Sequence, residues 1–213
     1  MATDFQIEAF QFDAFQIDAG GGSVGPVGET NWALDVNDGV ATASSYLSPY
    51  TPARANNGLR TGKQWGQDVP DSGWNDNTPS VYPDWLQITF AKANSIDTIN
   101  VITLQDPVGG VWTGVQEPTL TTTFTMYGIT AFDVQYWDGT IWVTFPGGSV
   151  TGNNKVWRQF TFAPVVTTAI RVKVNAGLFN SSRIVELEAW GGSGSWSGVS
   201  RGRNLFGTSR GRI

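Results

Sequence analysis

Between residues 31 and 191 the chain is written in a period of two, and that period most restricts what it can become. Leu86, Ile88 and Phe90 alternate with polar neighbours, as do Phe132, Val134 and Tyr136. The pattern returns at Phe160 and Phe162, at Ile170, Val172 and Val174, and at Val185, Leu187 and Ala189. Successive side chains of a strand point to opposite faces, so each run predicts a strand with one face buried and one wet. Asp138-Gly139 between two runs predicts a tight turn into Ile141–Phe145. With 26 Gly, 10 Pro and no long Leu/Ala/Glu/Lys stretch, turns replace helices. The expected fold class is all-β: an antiparallel two-layer β-sandwich.

The flanks have a different chemistry. Residues 1–30 carry the acids Asp4, Glu8, Asp13, Asp18 and Glu29 and no base, whereas 192–213 carry Arg201, Arg203, Arg210 and Arg212 and no acid. Three regions are implied rather than one uniform chain. Phe5-Gln6-Ile7-Glu8-Ala9 recurs as Phe10-Gln11-Phe12-Asp13-Ala14 and Phe15-Gln16-Ile17-Asp18-Ala19. Each unit alternates like a strand, but its odd length flips the apolar face or demands a bulge at every junction. An extended arm exposing Phe5, Ile7, Phe10, Phe12, Phe15 and Ile17 would aggregate, so it needs a surface to cover. That surface is either the chain's own sandwich or a neighbouring subunit, and the second is the preferred expectation. The organisation expected is thus a docking arm over 1–19, a Gly-rich linker over 20–30, a sandwich over 31–191 and a Gly/Ser/Arg tail over 192–213. The tail is either simply solvated or docks on an acidic surface such as another copy's arm; nucleic acid is not an expected partner, because four Arg without a folded basic face give little specificity.

Absences limit the chemistry. The chain has no Cys and no His, which removes disulfides, thiolates, the commonest general base and the commonest transition-metal ligand. Paired carboxylates are the remaining catalytic option, with Asp71/Asp76 and Glu186/Glu188 as nominal pairs; glycoside hydrolysis needs two about 5–9.5 Å apart across a sugar. An outward strand face such as that of Glu186 and Glu188 is not a cleft, and no enzyme is expected. Met1-Ala2-Thr3-Asp4-Phe5 lacks a basic region followed by an apolar run, and no stretch approaches the ~18 apolar residues of a membrane helix. The expectation is a product made in the cytoplasm, without secretion signal or membrane insertion.

Several segments, in order, resemble one family. Asn31-Trp32-Ala33 and Ala41-Thr42-Ala43-Ser44-Ser45 resemble the opening of discoidin (coagulation factor 5/8 type C) domains and of family 32 carbohydrate-binding modules. Ala55-Asn56-Asn57-Gly58 is similar to their Ala-x-Asp-Gly turn, and Asp84-Trp85-Leu86-Gln87-Ile88-Thr89-Phe90 to their Trp-Leu-Glu-Val-Asp-Leu strand. The hairpin with Trp142, the Ile170-Arg171-Val172 strand and the closing Ile184–Gly191 complete the series over residues 31–191. The resemblance implies a galactose-binding-like jelly roll with neighbouring termini. It also implies a structural calcium on Asn57, Thr61 and Glu186, with carbonyls around Ala55 and Val185; oxygen donors suit a hard cation. Asn57 stands where the family has Asp, and the alternative is that Asn57-Gly58 only makes the turn while Glu186 bonds loop amides.

Family members bind ligands in loops at one end of the sandwich, and the absence of His breaks the usual galactose set. The remaining sugar-facing candidates are Arg54, Arg60, Trp65, Trp74, Trp112 and Arg183, with Trp offering an apolar face and Arg bonding hydroxyls; the alternative for each Trp is packing against the sandwich. Ala9-Phe10-Gln11 and Ala14-Phe15-Gln16 more loosely resemble segments of tailed-phage structural proteins. The leading functional expectation is therefore a non-catalytic virion protein, a capsid decoration or tail component, assembled in the host cytoplasm. Its arm would hold it to other virion subunits and to copies of itself, and its lectin-like domain would meet surface glycans. The alternative is a stand-alone bacterial carbohydrate-binding protein, cytoplasmic or released by lysis.

Overall fold

The computed structural model describes residues 28–192. The arm with its six apolar candidates, most of the linker and the Arg-bearing tail lie outside the described residues.

Eight antiparallel strands form: β1 (Glu29–Asn31), β2 (Val40–Ala43), β3 (Trp74–Asn75), β4 (Asp84–Thr103), β5 (Ile129–Trp137), β6 (Trp142–Val150), β7 (Trp157–Gly177) and β8 (Arg183–Gly192). Only short 3-10 turns interrupt them. β1 begins at Glu29, inside the stretch assigned from sequence to the linker.

The sandwich comes from two long strands that serve both layers. Asp84–Thr89 of β4 pairs with β2 and with Ala169–Val174 of β7, which continues to β5 and β6. Past register shifts between Thr89 and Asn94 and between Ile96 and Thr98, β4 pairs with the first half of β7 and with β8. β8 holds β1 and β3 on its other side. Bulges bend strands, so the hydrogen-bonded sheet folds across these irregularities. The core records the fold-over: Leu86 and Ile88 from the first half of β4 share one apolar cluster with Ile99 and Val101 from the second. Phe132, Val134, Ile170, Val172, Val174, Leu187 and Ala189 join them, as the alternation predicts.

Two expectations need correction. Asp138-Gly139 is not a two-residue turn: Trp137 pairs with Trp142, so 138–141 form the loop. Asp138 closes it, its carboxylate accepting the Thr140 and Ile141 amides at 2.7 and 2.8 Å. The alternation of the last strand also breaks at its start. A register shift at Ile102/Thr103 leaves Ile184 and Leu187 in the main core and turns Val185 into a second cluster with Ile102, Leu104, Phe124 and Val156.

Candidate functional site

One end of the sandwich collects the long connections. Thr103, the last residue of β4, ties this end together: its hydroxyl donates to the Arg183 carbonyl at 2.8 Å and accepts the Ile129 amide at 3.0 Å. The Leu178 amide donates to the Gly128 carbonyl at 3.0 Å, joining the 178–182 and 104–128 connections. β8 then runs its ten residues away from this end to Gly192, which pairs with Glu29. A strand of that length places the two termini of the described part together about 30 Å from the loops.

Across the loop end runs a chain of five aromatic rings. Tyr50 stacks on Trp65 with centroids 4.5 Å apart; Trp65 lies 6.3 Å from Trp112, and Trp112 lies 5.2 Å from Tyr127. Tyr127 stacks on Phe179 at 5.1 Å. The second apolar cluster is the floor under Trp65, Trp112 and Tyr127 and holds them half-buried. Phe179 is different: 67% of it is exposed, and its φ of 49° lies in the left-handed region, followed by Asn180 at 55°. A left-handed conformation costs a non-glycine residue roughly 1–2 kcal/mol, and little burial of the ring offsets it. The Arg183 guanidinium lies 5.6 Å from the Tyr127 ring and donates to the Leu178 carbonyl at 3.0 Å.

Behind this surface a buried acidic pair anchors the loops. Glu186 and Glu188 are both 0% exposed, because the 54–73 connection covers the outer face of β8. Gly73 permits that approach: at φ +121° it lies so close that a Cβ would stand 2.7 Å from the Ile184 carbonyl oxygen. Glu188 receives Arg60 through Nε at 2.6 Å and Nη2 at 2.8 Å, with Asn100 and the Trp190 indole each donating at 2.8 Å. Burial by itself lowers the Arg60 guanidinium pKa; the Glu188 hydrogen bonds and charge, helped by Glu117 and Glu186, outweigh burial and raise it. Arg60 also lies 4.6 Å over the Trp157 ring.

Glu186 accepts the Asn57 amide at 3.2 Å and the Gly58 amide at 3.0 Å. Burial pushes its carboxyl well above the usual range and the Glu188 charge adds to this, while the two amides pull the other way. The oxygens expected on calcium are already engaged within the chain. Asn57 Oδ1 accepts the Leu59 amide at 3.0 Å, and the Thr61 hydroxyl donates to Asp71 at 2.7 Å. A calcium site needs several oxygens converging on the ion, and Glu186 is the only carboxylate in the expected set. Glu186 holds the Asn57-Gly58 turn by its amides, the alternative arrangement expected for these residues. Ala55 packs in the main core and Val185 in the second cluster.

The sequence-predicted sugar-facing residues therefore divide. Trp65, Trp112 and Arg183 come together at the loop end. Trp74 does not: it is 0% exposed in the main core, on β3, with its indole donating to the Ser45 carbonyl at 2.8 Å. Arg60 is 8% exposed and committed to Glu188. Arg54 is bound to Asp68, the Val69 carbonyl and Ser72 within its own loop. Tyr50, Tyr127 and Phe179 were missed, and Glu188, named only as half of a nominal catalytic pair, serves instead as an anchor. The available signal for Phe179 was a large apolar residue directly before the polar turn Asn180-Ser181-Ser182, between two alternating runs. The nominal catalytic pairs are likewise engaged: Asp71 accepts Thr61 and the Gly62 amide, and Asp76 accepts the Thr78 and Ser182 amides.

No family model and no curated protein matches the chain. Solved structures do. The family 32 carbohydrate-binding module of Clostridium perfringens NanJ, in complex with galactose, superimposes with a TM-score of 0.53 at 17% identity, covering 76% of this chain and 99% of that one. A fucose-binding module of Streptococcus pneumoniae gives 0.53 at 19% identity over 76% and 96% of the two chains. The lectin domain of lectinolysin, complexed with Lewis B antigen, gives 0.53 at 15% over 75% and 95%. At these identities the likeness shows the fold: the galactose-binding-like jelly roll expected from the sequence.

Proposed function

We propose that the described domain is a non-catalytic carbohydrate-binding module that holds a saccharide against the aromatic surface at its loop end. The observation that carries this reading is Phe179, an exposed ring kept in a left-handed conformation at the end of a five-ring run. Sugars present an apolar C–H face and a rim of hydroxyls; a ring beside Asn180 and Arg183 offers both kinds of contact. The neighbours in complex with galactose and Lewis B antigen share this fold, which supports the reading. Both nominal carboxylate pairs are tied into loop hydrogen bonds or ion pairs, so they offer no acid and base facing a substrate.

Carbohydrate binding thus takes precedence over the phage virion role placed first from the sequence. That role rested on the 1–19 arm, outside the described residues, whereas the neighbours named above are carbohydrate-binding or lectin domains. Among the described residues no helix is long and apolar enough to cross a membrane. The test is a glycan array probed with the full chain, followed by titration calorimetry on the hits. Binding lost on Phe179→Ala and Trp112→Ala with melting temperature retained is the expected result. An array without hits, or two variants that bind like wild type, overturns the proposal.

A further inference from the structure

The three arginines singled out in the loops have different fates, and the difference bears on the ligand. Arg54 is neutralised by Asp68 and Arg60 by Glu188. Arg183 forms no ion pair with any described carboxylate. Its Nη1 is spent on the Leu178 carbonyl, and its remaining guanidinium N–H groups have no partner among the described residues. Asp76 acts on it by charge, but the two oxygens of Asp76 are engaged by the amides of Ser182 and Thr78. The Tyr127 ring faces the cation instead, 5.6 Å away. Burial lowers its pKa, and the charge of Asp76 opposes this only in part.

We propose, building on the saccharide-binding reading of this end, that Arg183 makes the site select sugars bearing a carboxylate, uronates or sialates, over their neutral counterparts. A planar guanidinium with free N–H groups matches a carboxylate in two parallel charge-assisted hydrogen bonds. The half-removed water around Arg183 strengthens that pairing compared with a surface arginine. A neutral sugar can stack on Phe179 equally well and offer hydroxyls to Arg183, but it leaves the positive charge uncompensated. Phe179 therefore supplies affinity common to all ligands, and Arg183 supplies the discrimination.

The experiment measures the full chain against two matched pairs by calorimetry: trigalacturonate against galactotriose, and 3′-sialyllactose against lactose. The proposal expects at least tenfold tighter binding of the acidic member of one pair, and the pair that shows it identifies uronate or sialate as the source. The preference should disappear in Arg183→Met, the acidic member falling to the affinity of its neutral counterpart, and Phe179→Ala should weaken both members alike. If Arg183→Met fails to fold, the wild-type salt dependence decides: acidic affinity must fall with added salt and neutral affinity must not. Equal affinities within both pairs, or an acidic preference that survives Arg183→Met or ignores salt, overturn it. In those cases the saccharide-binding reading stands. Failure of every saccharide to bind overturns both.

Discussion

Replacing Phe179 with glycine separates what this residue does for the fold from what it does for a ligand. Relieving the left-handed φ of 49° returns roughly 1 kcal/mol. Glycine's extra freedom in the unfolded chain removes about 0.5–1 kcal/mol. Loss of the stacked Tyr127 contact at 5.1 Å removes a further 0.5–1.5 kcal/mol or so. The sum lies between no change and a loss of about 1.5 kcal/mol, equivalent to a fall in melting temperature of about 6 °C at most for a domain of this size. A ligand, by contrast, loses the exposed ring of the five-ring run, so affinity should fall at least tenfold, equivalent to about 1.4 kcal/mol. Differential scanning calorimetry and titration calorimetry on the same preparation read both quantities. A melting temperature lower by more than 10 °C would show that Phe179 is structural, and unchanged affinity would remove it from the site; either result refutes the reasoning.

Three further outcomes follow from the surrounding structure. Arg60→Met strands the fully buried Glu188 and should cost about 3–5 kcal/mol, whereas Arg60→Met with Glu188→Leu should recover most of it; equal losses in chemical denaturation would contradict the assignment of Arg60 as the partner of Glu188. Because Glu186 is held by amides, adding EDTA or millimolar calcium should leave the melting temperature within about 1 °C, and a calcium-dependent rise of several degrees would restore the metal site. The amides of Ile141 and Thr140 hold the Asp138 pKa below the usual aspartate range, so its contribution to the hairpin is complete at neutral pH and is lost as acid titrates the folded state; carbon-detected NMR should find a depressed midpoint, and an ordinary or raised one would contradict the loop geometry.

The strands were legible because alternation is local: Leu86, Ile88, Ile170 and Val172 declare their buried face within a few residues. The site was only half legible because it is assembled over long sequence separations. Trp74 looks like a loop residue in a polar stretch, yet two residues of pairing with β8 carry it into the core. Glu188 reads as a solvent-facing strand residue; its burial depends on the 54–73 connection folding over β8, which no local pattern announces. Charge type alone could not distinguish Arg54 and Arg60 from Arg183, since the distinction is whether an acid from elsewhere in the chain arrives beside each. Val185 changed face because of a bulge, a single-residue slip that inverts every side chain beyond it.

The most direct measurement is NMR of the full chain titrated with a bound oligosaccharide, following the indole and guanidinium N–H resonances. The account predicts shifts at Trp112 Nε1 and Arg183, none at the buried Trp74, and none at Trp137 and Trp142, the pair on β5 and β6. Shifts confined to Trp137, Trp142 and Arg171, whose guanidinium lies 4.3 Å over Trp142, would place the ligand on the sheet face and contradict a loop-end site.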